Sequence, residues 1–251
     1  MAYDLWQARQ RGETISAERA DLPATLAEAH AVQDAVVALS GMAACGYKVG
    51  STSAEAQRLL GTDEPAASVL LAPFVQESPA RIALAPAQMP AVEGEFAFRI
   101  GRDLPARGAR YTLAEVLAAV DGVAGAVEVV GTRFAGGLPG KGRFLTTADC
   151  GVNIGLALGV WTVFSGQDLR AHPVTMHVNG APKGSGTGSR ALGDPVNVLL
   201  WLVNHLSERG RSIAAGAVVA TGTCTGLDPV APGDSLRADF GALGAVEIAF
   251  G

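Results

Sequence analysis

The feature that most constrains this chain is a group of carboxylates inside segments that otherwise have the pattern of buried strands. Glu93 and Glu95 stand two residues apart in Val92-Glu-Gly-Glu-Phe-Ala-Phe98, so both side chains project from one face of a strand. Glu128 lies in a second apolar segment, Ala126-Val-Glu-Val-Val130. Because an unpaired carboxylate in an apolar core is costly, the fold must bring these acids to a positive partner.

Three acids of this kind predict one hard divalent cation. Mg²⁺ and Mn²⁺ prefer oxygen ligands in an octahedral shell, and three carboxylates leave positions open for a substrate. The alternative for Glu93 and Glu95 alone is a strand whose polar face meets water, which is common in antiparallel sheets. Phe96 and Phe98 make the opposite face apolar, and Glu128 has only hydrophobic neighbours. This pattern favours the metal site.

Composition narrows the class of protein. The 251 residues, 49% hydrophobic and 17% charged, suffice for a substantial core. A net charge of −5 and the lack of a basic run exclude nucleic acid as a partner. Residues 1–11 lack the apolar stretch of a signal peptide, and no segment reaches the ~18 apolar residues of a membrane span. We therefore expect a cytoplasmic protein that binds a small molecule and no membrane.

The cysteines indicate neither a disulfide framework nor a zinc site. Cys45, Cys150 and Cys224 are odd in number and have no paired spacing. A cysteine nucleophile would need a histidine partner, and none of the four histidines stands at a suggestive spacing from a cysteine. We expect free thiols in a reducing compartment.

Helical patterns dominate the first part of the chain and strand patterns the rest. The predicted helices cover residues 2–10, 26–40 with Thr25 as N-cap, 53–60, 112–120 and 196–206 after Asp194. The predicted strands cover residues 68–75, 92–100, 152–163, 174–178, 217–221, 235–240 and 245–250. This order predicts one α+β domain over residues 1–251, mostly helical over 1–80 and β-rich over 81–251, with a mixed or largely antiparallel sheet.

Three glycine-containing segments have open interpretations. Residues 46–50 are too short and glycine-rich for an ordinary strand, and predict close approach to a ligand or another strand. Residues 184–188 lack the Gly-Lys-Ser/Thr ending of a P-loop, which predicts a flexible loop. Residues 221–226 follow an apolar strand directly and offer hydroxyls and N–H groups. They could hold a carboxylate, or form only a polar strand-to-turn transition.

Several motifs in register carry a resemblance to a known family. They are Gly46-Tyr-Lys-Val-Gly-Ser-Thr-Ser53, the two acidic strands with Val127-Glu-Val-Val-Gly-Thr-Arg133, Ala148-Asp-Cys150, Asp194-Pro-Val-Asn197 with Trp201-Leu-Val-Asn204, and Val230-Ala-Pro-Gly-Asp234. Their order resembles the 2-keto-4-pentenoate hydratase and 4-oxalocrotonate decarboxylase group of the fumarylacetoacetate hydrolase superfamily, over nearly the whole chain. The resemblance implies a mixed β-roll or sandwich core with peripheral helices. It also implies an Mg²⁺ or Mn²⁺ site and a homo-oligomer, with possible association with a pathway decarboxylase or hydratase.

The resemblance also assigns roles to residues. It implies the metal ligands Glu93, Glu95 and Glu128, the catalytic Lys48, and the substrate-binding residues Ser51, Gly222 and Thr223. Lys48 would move protons on a chelated 2-oxo acid, and partial burial near a metal would lower its pKa toward neutrality. Without the motif, the alternative for Lys48 is a surface lysine with its stem on apolar neighbours.

The chain departs from the family pattern at three places. Where the family has Glu-Pro-Asp-aromatic-Gly, this chain has Glu64-Pro-Ala-Ala-Ser68, and Ala66 cannot transfer a proton. Asp63, Glu64, Asp149 or a bound water would have to replace the missing carboxylate. The family's Val-Asp-Ser-Arg is Val-Gly-Thr-Arg here, and its Ala-Asp-Asn has become Ala-Asp-Cys, which removes an amide.

These features predict a metal-dependent lyase that hydrates a 2-hydroxy-2,4-dienoate to a 4-hydroxy-2-oxo acid. Two other reactions stay open, namely decarboxylation of a 2-oxo diacid and C–C hydrolysis of the acylpyruvate type. Hydrolysis needs a base that activates water, and the N-terminal part has no evident Glu-His pair. A further alternative is a non-catalytic paralogue or partner subunit of such an enzyme, because Ala66 replaces a catalytic residue.

Overall fold

The computed structural model describes residues 1–251, except for the side chain of Leu59. The helices are α1 (Ala2–Arg11), α2 (Leu26–Ser40), α3 (Ala54–Leu60), α4 (Leu113–Leu117), α5 (Gly142–Ala148) and α6 (Pro195–Glu208). The strands are β1 (Ala44–Gly50), β2 (Ala66–Leu71), β3 (Val75–Glu77), β4 (Ala80–Ile82), β5 (Ala91–Ile100), β6 (Val120–Val130), β7 (Asn153–Leu158), β8 (Thr162–Val163), β9 (Pro173–Val178), β10 (Ala181–Thr187), β11 (Val218–Ala220), β12 (Asp228–Pro229), β13 (Ser235–Asp239) and β14 (Ala245–Phe250).

The strands form two sheets. Seven strands of the larger, nine-stranded sheet lie in the order β2-β1-β11-β5-β6-β7-β3, while β12 pairs with β5 and β8 pairs with β6. The smaller sheet has the order β10-β9-β13-β14-β4. Three pairs are parallel, β1 with β11, β3 with β7 and β14 with β4. The predicted α+β class with a mixed β core is confirmed. Three strands from the first 80 residues belong to the large sheet.

The main core joins the two sheets. Phe96 and Phe98 on β5 are fully buried on the face opposite the acids. The Phe96 ring meets the Phe240 ring edge to face at 5.8 Å, and each buried aromatic ring contributes roughly 1.5–3 kcal/mol. A Cβ at Gly125 on β6 would lie 2.3 Å from the Phe240 ring. Glycine at that position therefore lets the two sheets approach.

The helices begin and end largely where the sequence predicts. Thr25 and Glu28 form a complete capping box at the start of α2, and Gly41 ends that helix with φ 63°. Asp194 accepts a hydrogen bond from the backbone of Val196 at the start of α6. The three cysteines are free thiols, as predicted. Among the described residues, no helix is both long enough and apolar enough to cross a bilayer.

For two of the glycine-containing segments, the predicted secondary structure is wrong. Residues 46–50 belong to β1, an internal strand of the large sheet. A Cβ at Gly46 would lie 1.9 Å from the carbonyl oxygen of Val218 on β11, so the predicted close approach occurs between two strands. Residues 184–187 belong to β10, where a Cβ at Gly186 would lie 2.0 Å from the carbonyl oxygen of Cys224. Tight backbone packing explains these glycines better than flexibility does.

Three predicted elements are shorter or divided. The strand over 68–75 becomes β2 and β3, separated by a 3-10 turn with Pro73, and the strand over 152–163 becomes β7 and β8. The helix predicted over 112–120 ends at Leu117, because Val120 already begins β6. A hairpin turn at Asn179 and Gly180, both with positive φ, joins β9 to β10.

Candidate active site

The three acids named from the sequence come together on the large sheet. The β5–β6 register places Glu93 directly opposite Glu128, and Glu95 follows two residues on. One carboxylate oxygen from each acid lies within 4.8 Å of those of the other two. Glu95 and Glu128 are almost completely buried, at 1% and 0% exposure, while Glu93 keeps part of its surface toward a cavity.

The electrostatics of this acidic cluster are unfavourable without a cation. Burial raises the pKa of Glu93 to about 7, and the charge of Glu128 adds to the rise. Burial and the charges of Glu128 and Glu93 raise the pKa of Glu95 well above its usual value. Because burial and mutual repulsion both disfavour the ionised forms, the metal-free cluster resists carrying three charges near neutral pH.

Lys48 reaches the acidic cluster from β1. Its Nζ lies 3.0 Å from Oε2 of Glu128, and the side chain is only 4% exposed, so the interpretation as a surface lysine is wrong. Burial by itself lowers the pKa of Lys48, but the charges of Glu128, Glu93 and Glu95 together outweigh burial and raise it. The lowered pKa was predicted for Lys48 beside a bound metal, and it stays a prediction.

The donor set fits a hard divalent cation. Oε1 of Glu128 accepts a hydrogen bond of 2.7 Å from the amide of Asn153, and Oε2 of Glu95 accepts one of 2.8 Å from the backbone of Gly222. Although it faces the charge of Lys48, Oε2 of Glu128 is buried and has no hydrogen-bond donor of good geometry among the described residues. Lys48 offsets only one of the three carboxylate charges, so the cluster can still accept a cation, and its oxygen donors suit Mg²⁺ or Mn²⁺.

Sequence reasoning missed Asn153 as a neighbour of this cluster. The backbone carbonyl of Asn153 accepts hydrogen bonds from Arg133, at 3.0 Å, and from Arg9. Arg133 in turn forms a buried ion pair with Asp149 at 2.5 Å. The only available signal was the departure at Ala148-Asp-Cys150, three residues before Asn153. Local spacing alone does not show that this amide reaches Glu128.

The three predicted substrate-binding residues have different surroundings near the acids. Ser51 lines the cavity. Gly222 has φ +87°, and a Cβ there would lie 2.2 Å from the hydroxyl of Thr52, so this turn requires glycine. The Thr223 hydroxyl lies beside Glu93 and accepts the N–H of Gly226 at 2.8 Å. Substrate binding by these residues stays a prediction.

A cavity of about 100 Å³ opens next to Lys48 and Glu93. Besides these two, its polar side chains are Ser51, Thr146 and Thr147, and the rest of the wall is mainly apolar. A larger cleft of about 670 Å³ lies beside Arg81 and Arg237 on the small sheet. None of the candidate residues lines that cleft, so the smaller cavity is the relevant one.

The carboxylates that were candidates to replace the one missing at Ala66 lie elsewhere. Ala66 is part of the cavity wall, whereas Asp63 and Glu64 are exposed and do not line the cavity. Glu64 pairs with Arg143 at 3.0 Å, and both oxygens of Asp149 are held by Thr132 and Arg133. Thr147 lines the cavity, and its hydroxyl is buried with no hydrogen-bond partner among the described residues.

Comparison with known proteins identifies the protein family to which this chain belongs. Residues 48–250 match the family model described as fumarylacetoacetate (FAA) hydrolase C-terminal, so the chain belongs to this family. This confirms the family resemblance identified from the sequence motifs.

Individual relatives agree over the full length of the chain. It is 31% identical to a 2-keto-4-pentenoate hydratase of Paraburkholderia xenovorans (strain LB400), over 99% of this chain and 93% of the relative. It is 30% identical to a 2-oxo-hept-4-ene-1,7-dioate hydratase of Escherichia coli, over 100% of this chain and 96% of the relative.

A solved structure of 4-oxalocrotonate decarboxylase from Pseudomonas putida G7, complexed with magnesium and adipate, matches with a TM-score of 0.90 and 29% identity. The match covers 99% of this chain and 95% of that chain. The divalent metal bound by this relative supports the metal site predicted from the sequence.

Proposed function

We propose that this protein is a divalent-metal-dependent hydratase that converts a 2-hydroxy-2,4-dienoate into a 4-hydroxy-2-oxo acid. Glu93, Glu95 and Glu128 would hold Mg²⁺ or Mn²⁺, and Lys48 would transfer a proton. The observation that carries this proposal is the meeting of three buried carboxylates and one buried lysine at the edge of a small cavity.

The net reaction adds one water and shifts a double bond. The water oxygen forms its bond to C4, C5 gains one proton, and the enol at C2 becomes a ketone as C3 gains another. When bound, the metal would polarise the carboxylate and C2 oxygen of the substrate and stabilise enolate charge. Every other contribution must come from the side chains of this chain.

Lys48 is placed to act as the proton donor. In the metal-free protein the charges of the three carboxylates raise its pKa and favour the ammonium form, and its position in the cavity wall gives it access to the substrate carbon chain. A positioned general acid contributes roughly 10²–10⁴-fold to rate. The apolar wall limits bulk water around the diene, and the Thr147 hydroxyl offers one hydrogen bond to the reacting oxygen.

The alternative functions use the same site. Among the described residues, no histidine and no carboxylate other than Glu93 lines the cavity, and hydration and hydrolytic C–C cleavage both need an activated water, so the hydratase relatives, and not the cavity wall, favour hydration over hydrolysis. Decarboxylation shares the same metal and lysine, and the magnesium-bound decarboxylase relative favours it as the second candidate. Homo-oligomer formation and association with a pathway enzyme stay predictions.

Product analysis tests the proposal. Purified protein with Mg²⁺ or Mn²⁺ should remove the diene absorbance of 2-hydroxypenta-2,4-dienoate and yield the 4-hydroxy-2-oxo acid by NMR. Release of CO₂ from a 2-oxo diacid instead would establish the decarboxylase, and release of a second acid would establish the hydrolase.

Two variants test the residue roles. Lys48→Met and Glu95→Gln should each lower kcat/KM by at least about 100-fold. The matched control is Lys183→Met, since Lys183 is exposed on β10. Absence of turnover by the metal-loaded wild type on every dienoate and diacid tested would favour the non-catalytic paralogue. Full activity of Lys48→Met would refute the assigned proton donor.

A further inference from the structure

We propose that the cavity beside Lys48 receives the distal end of the substrate, and that this end is short and uncharged. The substrate class is then a 2-oxo monoacid, or its dienol, with a small apolar tail, and not a diacid. This inference rests on the proposed function, because it places the oxo-acid end of the substrate at the acidic cluster.

The position of the cavity sets the direction of the tail. Glu93 and Lys48 form one part of its wall, so a substrate held at the acids extends toward the remaining wall. That wall is built from apolar side chains of α3, β2, the end of β6 and three loops. They include Leu60, Ala66, Val130, Leu138, Val152 and Leu227.

The cavity has no charge to offer a second carboxylate. Among the described residues, Lys48 is the only cation that lines it, and its ammonium already faces Glu128. Two further arginines do not line it. Arg143 pairs through Nη2 with Glu64 at 3.0 Å, although its Nε is buried without a partner among the described residues, and Arg190 pairs with Glu55 at 3.0 Å. A carboxylate in this wall would be desolvated without a counter-ion.

The polar group that remains suits a neutral oxygen. Oγ1 of Thr147 is buried without a partner, whereas the Thr146 hydroxyl is already bonded to the carbonyls of Gly142 and Arg143. One free hydroxyl can hydrogen-bond an added water or the product hydroxyl, but it cannot neutralise a charge.

The size of the cavity favours a short tail. Its volume of about 100 Å³ lies below the roughly 300–1,000 Å³ of pockets that bury drug-sized ligands. The named activities of the relatives include both a 2-keto-4-pentenoate and a 1,7-dioate, so family membership does not decide the charge of the tail. The residues of the cavity wall in this chain decide that the tail is uncharged.

Binding measurements separate this inference from the proposed reaction. We would measure by calorimetry, with Mg²⁺ present, the affinity of the protein for 2-oxohexanoate and for 2-oxoadipate, which differ in a terminal carboxylate. The wild type should bind 2-oxohexanoate about 100-fold more tightly, the cost of burying an unpaired charge. Leu138→Arg should reverse the preference. The matched control is Leu39→Arg, since Leu39 is exposed on α2 outside the cavity, and it should leave the preference unchanged.

The binding results distinguish failure of this inference from failure of the proposed hydratase function. Equal or tighter binding of 2-oxoadipate by the wild type, or no binding of either acid, overturns the inference. A clear preference for 2-oxohexanoate in a protein that turns over no dienoate supports the inference and rejects only the proposed hydratase.

Discussion

Lys48→Met is the substitution for which the structure makes the sharpest prediction. The ammonium of Lys48 lies 3.0 Å from Glu128 Oε2, and both side chains are buried. Methionine keeps a similar length and shape but removes the charge. The metal-free variant then has three buried carboxylates with no lysine to offset them, and we expect it to be less stable than the wild type.

The magnitude follows from the loss of a buried ion pair. Removing one partner costs roughly 3–5 kcal/mol, and proton uptake by Glu93, whose pKa is about 7, relieves part of that cost. We expect a loss of about 3 kcal/mol, which for a chain of this length lowers Tm by about 6–12 °C. The exposed control Lys183→Met should change Tm by less than about 2 °C.

A divalent cation should reverse most of this loss. Saturating metal stabilises any protein that binds it only when folded, by about 2.7 kcal/mol at 100 times Kd. Because Lys48 repels a cation at the same carboxylates, the gain on adding Mg²⁺ should be larger in Lys48→Met by more than about 1 kcal/mol. Urea denaturation at pH 8 with EDTA or with Mg²⁺ measures both quantities. Equal stability of the two metal-free proteins, or a smaller metal gain in the variant, would refute the reasoning.

Three further predictions concern other parts of the molecule. Thr147→Val should lower kcat/KM at least about 10-fold without loss of stability, while Thr146→Val, whose hydroxyl is bonded within α5, should have little effect on activity. Gly222→Ala should lower the free energy of unfolding by about 2–3 kcal/mol in urea titrations, because of φ strain and a clash. Gly216→Ala has similar φ but open space, and should lose only about 1 kcal/mol. Burial lowers the pKa of His30 to about 4, so the wild type should lose stability as pH falls from 6.5 to 4, and His30→Gln should lose less.

For each of these three predictions, one experimental result would contradict it. Equal loss of activity in the two threonine variants would show that the free hydroxyl of Thr147 has no special role. Equal destabilisation by the two glycine variants would leave backbone conformation as the sole cause. Parallel stability curves of wild type and His30→Gln between pH 6.5 and 4 would show that His30 is not held neutral by the fold.

The acidic cluster was predictable because strand geometry is local. Side chains alternate along a strand, so Glu93 and Glu95 share a face whatever the rest of the chain does, and Phe96 lies on the other face. The isolation of Glu128 among valines is also visible in the sequence. What the sequence does not contain is the β5–β6 register, which sets Glu93 opposite Glu128.

The glycine-rich segments show the limits of the same reasoning. Glycine lacks a side chain, so neither hydrophobic alternation nor propensity marks Gly46 or Gly186 as part of a strand. Both are in strands because another backbone passes within contact distance of their Cα atoms. A partner that is remote in sequence decides such positions.

The sequence by itself determined the helix caps, the faces of the strands and the three acids, since each depends on neighbours a few residues away. Lys48 was identified only through its resemblance to a family motif. Only the tertiary structure decided that Lys48 faces Glu128, that Asn153 supports the same carboxylate, and that Ala66 and Thr147 meet in one cavity. These contacts join residues from 25 to 81 positions apart. Their energies depend on burial and on the distance between charges, which exist only once the chain has folded.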